Sequence, residues 1–364
     1  MTEYLTIQLL LLTKFTGKAP GTRYRHSQYL PYLKNQGFNV TESHLINDTY
    51  LDSLYSNKSP ILQIYKIMTA YVNRLIRLLN IKQYDVLWIQ FELLPFIPFW
   101  IEHNFFKKIQ YVVEYDDAVF HTYDLNPNPL VKWLLREKID KVMQNAAIVI
   151  AGNQYIADRA IKAGAKQVEI IPTVIDLEKY SLKQNDDSGK FTIGWIGSFS
   201  TTKYLNQIID VTTKYSGSDD VEFTAIGATE KYLLDKNIEV KAWNSETEVE
   251  EIKKLDVGIM PLEDTPYTRG KCGFKLIQYM ACGLPVIASP VGVNIEIVEH
   301  GINGFLATTN EEWLWAIETL KNDPDLRKKM GEAARKKVER QYCLQVTQPK
   351  IARLLTQVAQ SKYT

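Results

Sequence analysis

Short runs of branched and aliphatic residues recur along this chain of 364 residues, each followed by a stretch long enough for an amphipathic helix. That alternation suits a parallel sheet, whose strands are joined by helical crossovers of about a dozen residues or more and not by tight hairpins. Strands are predicted at 5–12, 39–45, 85–91, 110–115, 147–152 and 168–171, and again at 191–197, 222–227, 238–243, 257–261, 285–288 and 304–306. Between the two series lies DLEKYSLKQNDDSGK (176–190), the longest polar stretch, which reads as a linker. The chain therefore divides into α/β domains over 1–176 and 190–344, with a helix over 345–364 expected to pack back on the first. The residues from Asn310 to Ser361 read as helix almost throughout, with one break at the proline after Asp323.

With 45% apolar and 23% charged residues, such a chain can fill two cores. Lys+Arg 43 against Asp+Glu 42 leaves a net charge of +1, which excludes a global field for nucleic acid, so any basic site must be local. Three cysteines without CxxC spacing and five scattered histidines support neither a disulfide framework nor a zinc site, and a reducing cytoplasm is expected. The apolar run at the start is too short for a bilayer, and VLWIQFELLPFIPFWI (86–101) is interrupted by Gln90, Glu92, Pro95 and Pro98. Peripheral contact with a membrane stays open, on the cytoplasmic face.

The stretch RGKCGFKLIQYMACGLPVIASPVG runs from Arg269 to Gly292. Gly270 and Gly273 permit close backbone approach, and a helix beginning near Gly273 offers free N–H groups and a positive dipole end to an anion. Lys271, Lys275 and Gln278 share one stripe of that helix, while Phe274, Ile277 and Ala281 form a neighbouring stripe suited to a core. A diphosphate at the helix start, with a ribose further along, fits these parts; a solvated lysine face is the alternative. Two strands, TIGWIG and FTAIG, end in turns at what would be the carboxyl edge of a sheet, where ligands of open α/β folds bind. No G-x-G-x-x-G occurs there, which counts against a dinucleotide enzyme.

The segment 270–307, with DVGIMPLED ahead of it, resembles the donor-site signature of the retaining nucleotide-sugar glycosyltransferases of family 4, the glycosyl transferases group 1. The resemblance implies the GT-B fold, two Rossmann-like doubly wound parallel-sheet domains facing across a cleft that opens and closes. It implies transfer of a sugar from a nucleotide diphosphate-sugar donor to a hydroxyl of a glycan or lipid-linked glycan, in biosynthesis of the cell-surface polysaccharide type, with no cofactor. In GWIGSFSTTKYLNQII it assigns Lys203 to the donor diphosphate, with Gly197, Ser198, Ser200 and Thr201 around it. Lys271 joins Lys203 there, and Trp243, Gly270, Cys272, Gly273, Phe274, Lys275 and Gln278 complete the donor set.

The family commonly has two glutamates eight positions apart, whose places here fall on Gly270 and Gln278. Gln278 can bond ribose hydroxyls but carries no charge; Asp264, Glu263 or backbone N–H groups of the 271–274 turn are expected to stand in for the other. In the first half, Gly21, Arg23 and Arg25 follow a glycine-containing loop and are assigned to phosphate or acceptor, and Asp117, with Asp116, lies at a strand end near the reacting centre. Asp116 reads equally as a helix cap. No metal is required, although the Asp116-Asp117 pair can imitate a metal-binding one. The aromatic cluster of Phe96, Phe99, Trp100, Phe105 and Phe106 reads as core or, alternatively, as a lipid-facing surface. A nucleotide-sugar epimerase or hydrolase, or a catalytically silent glycan-binding protein, are the rival readings.

Overall fold

The computed structural model describes residues 6–48, 60–183, 189–235 and 237–362. The chain forms two compact units, Met1–Thr173 with Thr347–Thr364, and Val174–Val346. The first carries strands β1 (Ile7–Phe15), β2 (Phe38–Ile46), β3 (Val86–Gln90), β4 (Tyr111–Tyr115), β5 (Ile148–Ala151) and β6 (Val168–Ile170), in the order β2-β1-β3-β4-β5-β6. The second carries β7 (Phe191–Ile196), β8 (Val221–Ile226), β9 (Glu239–Lys241), β10 (Val257–Met260), β11 (Val286–Ala288) and β12 (Gly304–Leu306), in the order β12-β11-β10-β7-β8-β9. Every pairing between neighbouring strands is parallel. Each strand read from the sequence has its counterpart; the first runs on to Phe15, and Leu5 lies outside the described residues.

Burial on both faces explains the continuous apolar runs: Leu9, Leu10, Leu11 and Leu12 are all buried, as are Val86 to Ile89. Five helices matter below: α1 (Pro20–Arg25), α2 (Pro60–Leu79), α3 (Phe99–Phe106), α4 (Phe274–Ala281) and α5 (Leu344–Gln360). Among the described residues, no helix is long and apolar enough to cross a membrane.

The units part between Thr173 and Val174, ahead of the polar stretch expected to link them. Tyr180 is buried in the core of the second unit, the Lys183 N–H donates to Cys282 O at 2.9 Å, and the Lys183 ammonium pairs with Asp256 at 2.7 Å. The reason is local: one buried aromatic and one half-buried, ion-paired lysine pin a stretch that is otherwise polar. Residues 184–188 of that stretch lie outside the described residues. At the other end, Thr347 groups with the first unit, its hydroxyl 2.9 Å from that of Tyr29.

The strand order of each sheet reverses once, between β1 and β3 and between β7 and β10. In the second sheet the neighbours pair only through Val257↔Ile193 and Gly258↔Gly194, and then diverge. Divergence would orphan the Ile196 N–H. It donates instead to the Tyr279 hydroxyl at 2.7 Å, a buried group projecting from α4. The ring lies where Gly258 has no side chain, since a Cβ there would come within 2.1 Å of it. The first sheet repeats the device, with the Lys14 N–H donating to the buried Gln90 amide oxygen at 3.0 Å.

Tyr279→Phe keeps the ring and removes the acceptor, leaving a buried N–H without a partner. A loss of about 1–3 kcal/mol in urea unfolding is expected, and unchanged stability would show that this N–H has another partner.

Candidate functional site

The carboxyl ends of β7, β8 and β9 come together around glycines. A Cβ on Gly227, whose φ is 76°, would lie 2.3 Å from Gly197 O and 3.0 Å from Trp243 Cβ. Any side chain at Gly227 would push these three strand ends apart. Gly197 is constrained as tightly, because its absent Cβ would stand 2.3 Å from the Trp195 ring and 2.6 Å from Lys275 Nζ. The lysine thus passes over Gly197 and rests on Trp195, with Nζ 4.0 Å from the ring centroid and 3.4 Å from the Thr201 hydroxyl.

Lys275 belongs to the first turn of α4, which begins at Gly273 in the left-handed region at φ 63°. A Cβ there would meet Ile297 Cδ1 at 2.3 Å, so both conformation and space require glycine. Burial, helped by the charge of Lys271, lowers Lys275 to about 7. Among the described residues it has no carboxylate partner; only an aromatic face and a hydroxyl meet it. A cation at a helix start is able to meet an anion.

Around it, Ser198 caps the turn that contains Thr201 in a reciprocal capping box, and the Ser198 and Ser200 hydroxyls lie 3.0 Å apart. Lys203 is exposed, its ammonium 5.4 Å from the Tyr204 ring, and Lys271 lies equally far from the Tyr267 ring. Gly270 caps the short helix Pro266–Arg269, and Cys272 is buried directly before Gly273. Phe274 is half-buried. Of the substitutes considered for the glutamate absent at Gly270, Asp264 is engaged by Arg269 through two bonds of 2.6 and 2.9 Å, which lower its carboxyl.

Gln278 is buried and its amide donates to the Tyr180 hydroxyl at 2.9 Å. That hydroxyl lies 3.5 Å from Glu248, whose other oxygen accepts the Trp243 indole N–H at 2.8 Å. A chain of hydrogen bonds thus ties Gln278 to Trp243. Sequence reading missed Tyr180, Glu248, Trp195 and Gly227; the signals were an aromatic inside a polar stretch and the residues of the two quoted strand ends.

In the first unit, Arg25 is buried, with Nε 2.5 Å from Glu114 and Nη1 donating to Ile171 O at 2.9 Å. Glu114 also accepts the Trp88 indole N–H at 2.8 Å, and His26 lies 3.5 Å away. Burial pushes the Glu114 carboxyl up and His26 down to about 3, so the imidazole is neutral. Arg25 is therefore committed to the interior, in contrast to its expected place at a phosphate. Burial also raises Asp116, whose Oδ2 would be 3.5 Å from a Cβ on Gly21, while Asp117 accepts the Val119 N–H through its main chain at 2.8 Å. Arg23 stacks on Tyr24 at 4.9 Å. No group of metal-ligating side chains occurs among the described residues.

Residues 176–337 match the family described as glycosyl transferases group 1, over the whole of this lysine and glycine site. The match covers a little under half of the chain, and that part is similar to the family. It is 38% identical over 73 residues to the N-acetyl-alpha-D-glucosaminyl L-malate synthase of Bacillus anthracis, a segment covering 19% of each chain. The chain spans less than half the length of the curated relatives it matches. The fold is GT-B: the sucrose-phosphate synthase of Thermosynechococcus elongatus superposes with a TM-score of 0.74 at 15% identity, over 97% of this chain and 100% of that one. Anabaena HepE, solved with UDP-glucose, gives a TM-score of 0.70 at 17% identity, over 96% and 99%.

The folded pKa of Lys275 lies below its unfolded value, so the fold bears the cost of its charge fully below about pH 7 and sheds it as pH rises toward the unfolded pKa. Lys275→Met should raise the melting temperature most at or below pH 7 and progressively less toward pH 10. It should also abolish a fluorescence change of Trp195 with a midpoint of about 7. A melting gain independent of pH would exclude the lowered lysine.

Proposed function

We propose that the chain is a retaining glycosyltransferase that moves a sugar from a nucleoside diphosphate-sugar to a hydroxyl of a glycan or lipid-linked glycan. The observation that carries this reading is Lys275, seated on Trp195 at the start of α4 with no carboxylate partner among the described residues. A diphosphate would restore its full charge. The printed ligand of HepE, UDP-glucose, supports a donor of that class.

In this reading Lys203 and Lys271 hold the diphosphate with Lys275, and the hydroxyls of Ser198, Ser200 and Thr201 line its approach. The Tyr180 bond fixes the Gln278 amide, leaving its carbonyl oxygen to accept from a ribose hydroxyl. The Glu248 bond holds Trp243 as a flat apolar wall beside Gly227. Chemistry proceeds on one face of the sugar. The acceptor oxygen bonds to the anomeric carbon as the bond from that carbon to the phosphate oxygen breaks, and the departing phosphate oxygen takes the acceptor proton. Negative charge grows on the diphosphate, and fixed cations lower that barrier. Asp117 and Asp116, with Gly21 and Arg23, are assigned to acceptor or sugar; Arg25 supports them through Glu114 from the interior.

Lys203→Ala and Lys271→Ala should each lower kcat/KM by about 2–4 kcal/mol of barrier with folding intact, measured with a panel of nucleotide-sugars and product analysis by mass spectrometry. Donor consumption without an acceptor would indicate a hydrolase or epimerase instead. Near wild-type turnover of both variants at saturating donor would remove the diphosphate assignment.

A further inference from the structure

Helix α2 is anchored to the first unit by a narrow stripe. Arg74 is buried and donates to Thr13 O at 2.6 Å and Ser43 O at 3.1 Å, Tyr71 donates to Pro95 O at 2.6 Å, and Leu78 is buried beside them. At about 100° per residue, Ile64, Tyr65, Met68, Val72, Ile76 and Leu79 fall on a separate arc of about 120°, and all six are exposed, Tyr65 at 68% and Leu79 at 71%. Isolated exposed apolar residues are ordinary; a contiguous arc on one rigidly anchored helix is a binding face. Beyond it, on the side away from the packed stripe, come Lys66, Asn73 and Arg77. The sequence holds no Asp or Glu between Asp52 and Asp85, but five Lys or Arg, in a chain whose net charge is only +1.

The neighbouring loop adds to this face. The Tyr71 bond to Pro95 sets the loop beside α2, and Phe96 within it is held at φ 60°, where a phenylalanine rarely sits, by donation of its N–H to the Tyr123 hydroxyl at 3.0 Å. Phe96 is 53% exposed, and Trp100 on α3 is 67% exposed. Phe106 is core, so the aromatic cluster divides between the two roles read for it.

We propose that α2, with Phe96 and Trp100 beside it, docks on the interface of an anionic phospholipid bilayer. An apolar arc flanked by cations, with aromatic residues near it and no carboxylate on the helix, matches a surface of acyl chains edged by phosphates. A second copy fits less well, because facing the same helix across a two-fold axis would bring like charges together. The inference stands independently of the transfer reading.

The test is co-sedimentation of the full chain with vesicles of phosphatidylglycerol and phosphatidylcholine, against phosphatidylcholine alone. Wild type should prefer the anionic vesicles and lose that preference in high salt. The triple variant Met68→Glu, Val72→Glu, Ile76→Glu should partition about tenfold more weakly or less, and Lys66→Gln with Arg77→Gln should lose the anionic preference. All altered positions are at least partly exposed, so an unchanged melting temperature is expected and separates lost docking from lost folding. Equal partition of wild type and triple variant overturns the proposal. So does failure of wild type to bind vesicles, including the case in which sedimentation velocity finds a dimer that the triple variant dissociates.

Discussion

Both sheets part where their strand order reverses, and a buried polar side chain satisfies the main-chain group left behind. Tyr279 does this between β7 and β10, and Gln90 between β1 and β3. In the second unit this constraint sets almost everything near the site. The tyrosine must come from a helix beneath the sheet, so α4 has to lie close. Close approach requires glycine at Gly258 under the ring. The helix then starts at the open end of the gap, and Lys275 crosses Gly197 to reach Trp195. The cation is placed there by packing alone.

Two ways of treating a cation meet in this chain, with Arg25 buried and Lys275 half-buried. Arg25 is neutralised within the fold by Glu114, which is itself held by Trp88. Removing either partner would strand a charge in a low dielectric, so that pair is committed to structure. Lys275 receives no such counter-charge and its protonated form is disfavoured. Arg25 is compensated within the fold and Lys275 is not, so only the second bears an uncompensated cost for its charge.

Most of the architecture was legible because parallel strands buried on both faces announce themselves as apolar runs, and all twelve strands could be placed. The glycine and lysine segment was legible for a related reason: left-handed and side-chain-free positions leave few residue choices. What could not be read depends on contacts distant in sequence. Arg25 and Glu114 are 89 positions apart, and Gln278 and Tyr180 are 98 apart. A buried arginine and a solvated one look alike until the partner is known, although Glu114 within the otherwise apolar YVVEY was a hint. The polar stretch after Asp176 misled in the opposite way, since average composition hides the tyrosine and the lysine that pin it.

The chain leaves the first unit at Thr173 and returns to it at Thr347. Where the second unit begins and ends, Ile175 bridges to Cys343, the Ile175 N–H donates to Tyr342 O at 3.2 Å, and the Leu344 N–H donates to Ile175 O at 2.8 Å. The second unit is thus topologically an insertion, with its two ends fastened side by side. A segment of that kind is modular: it can be excised, exchanged between chains, or rejoined end to end as a circular permutant without any strand being stretched. The second unit of such a protein can therefore diverge as a cassette, under constraints set by its own core and by the spacing of its neck.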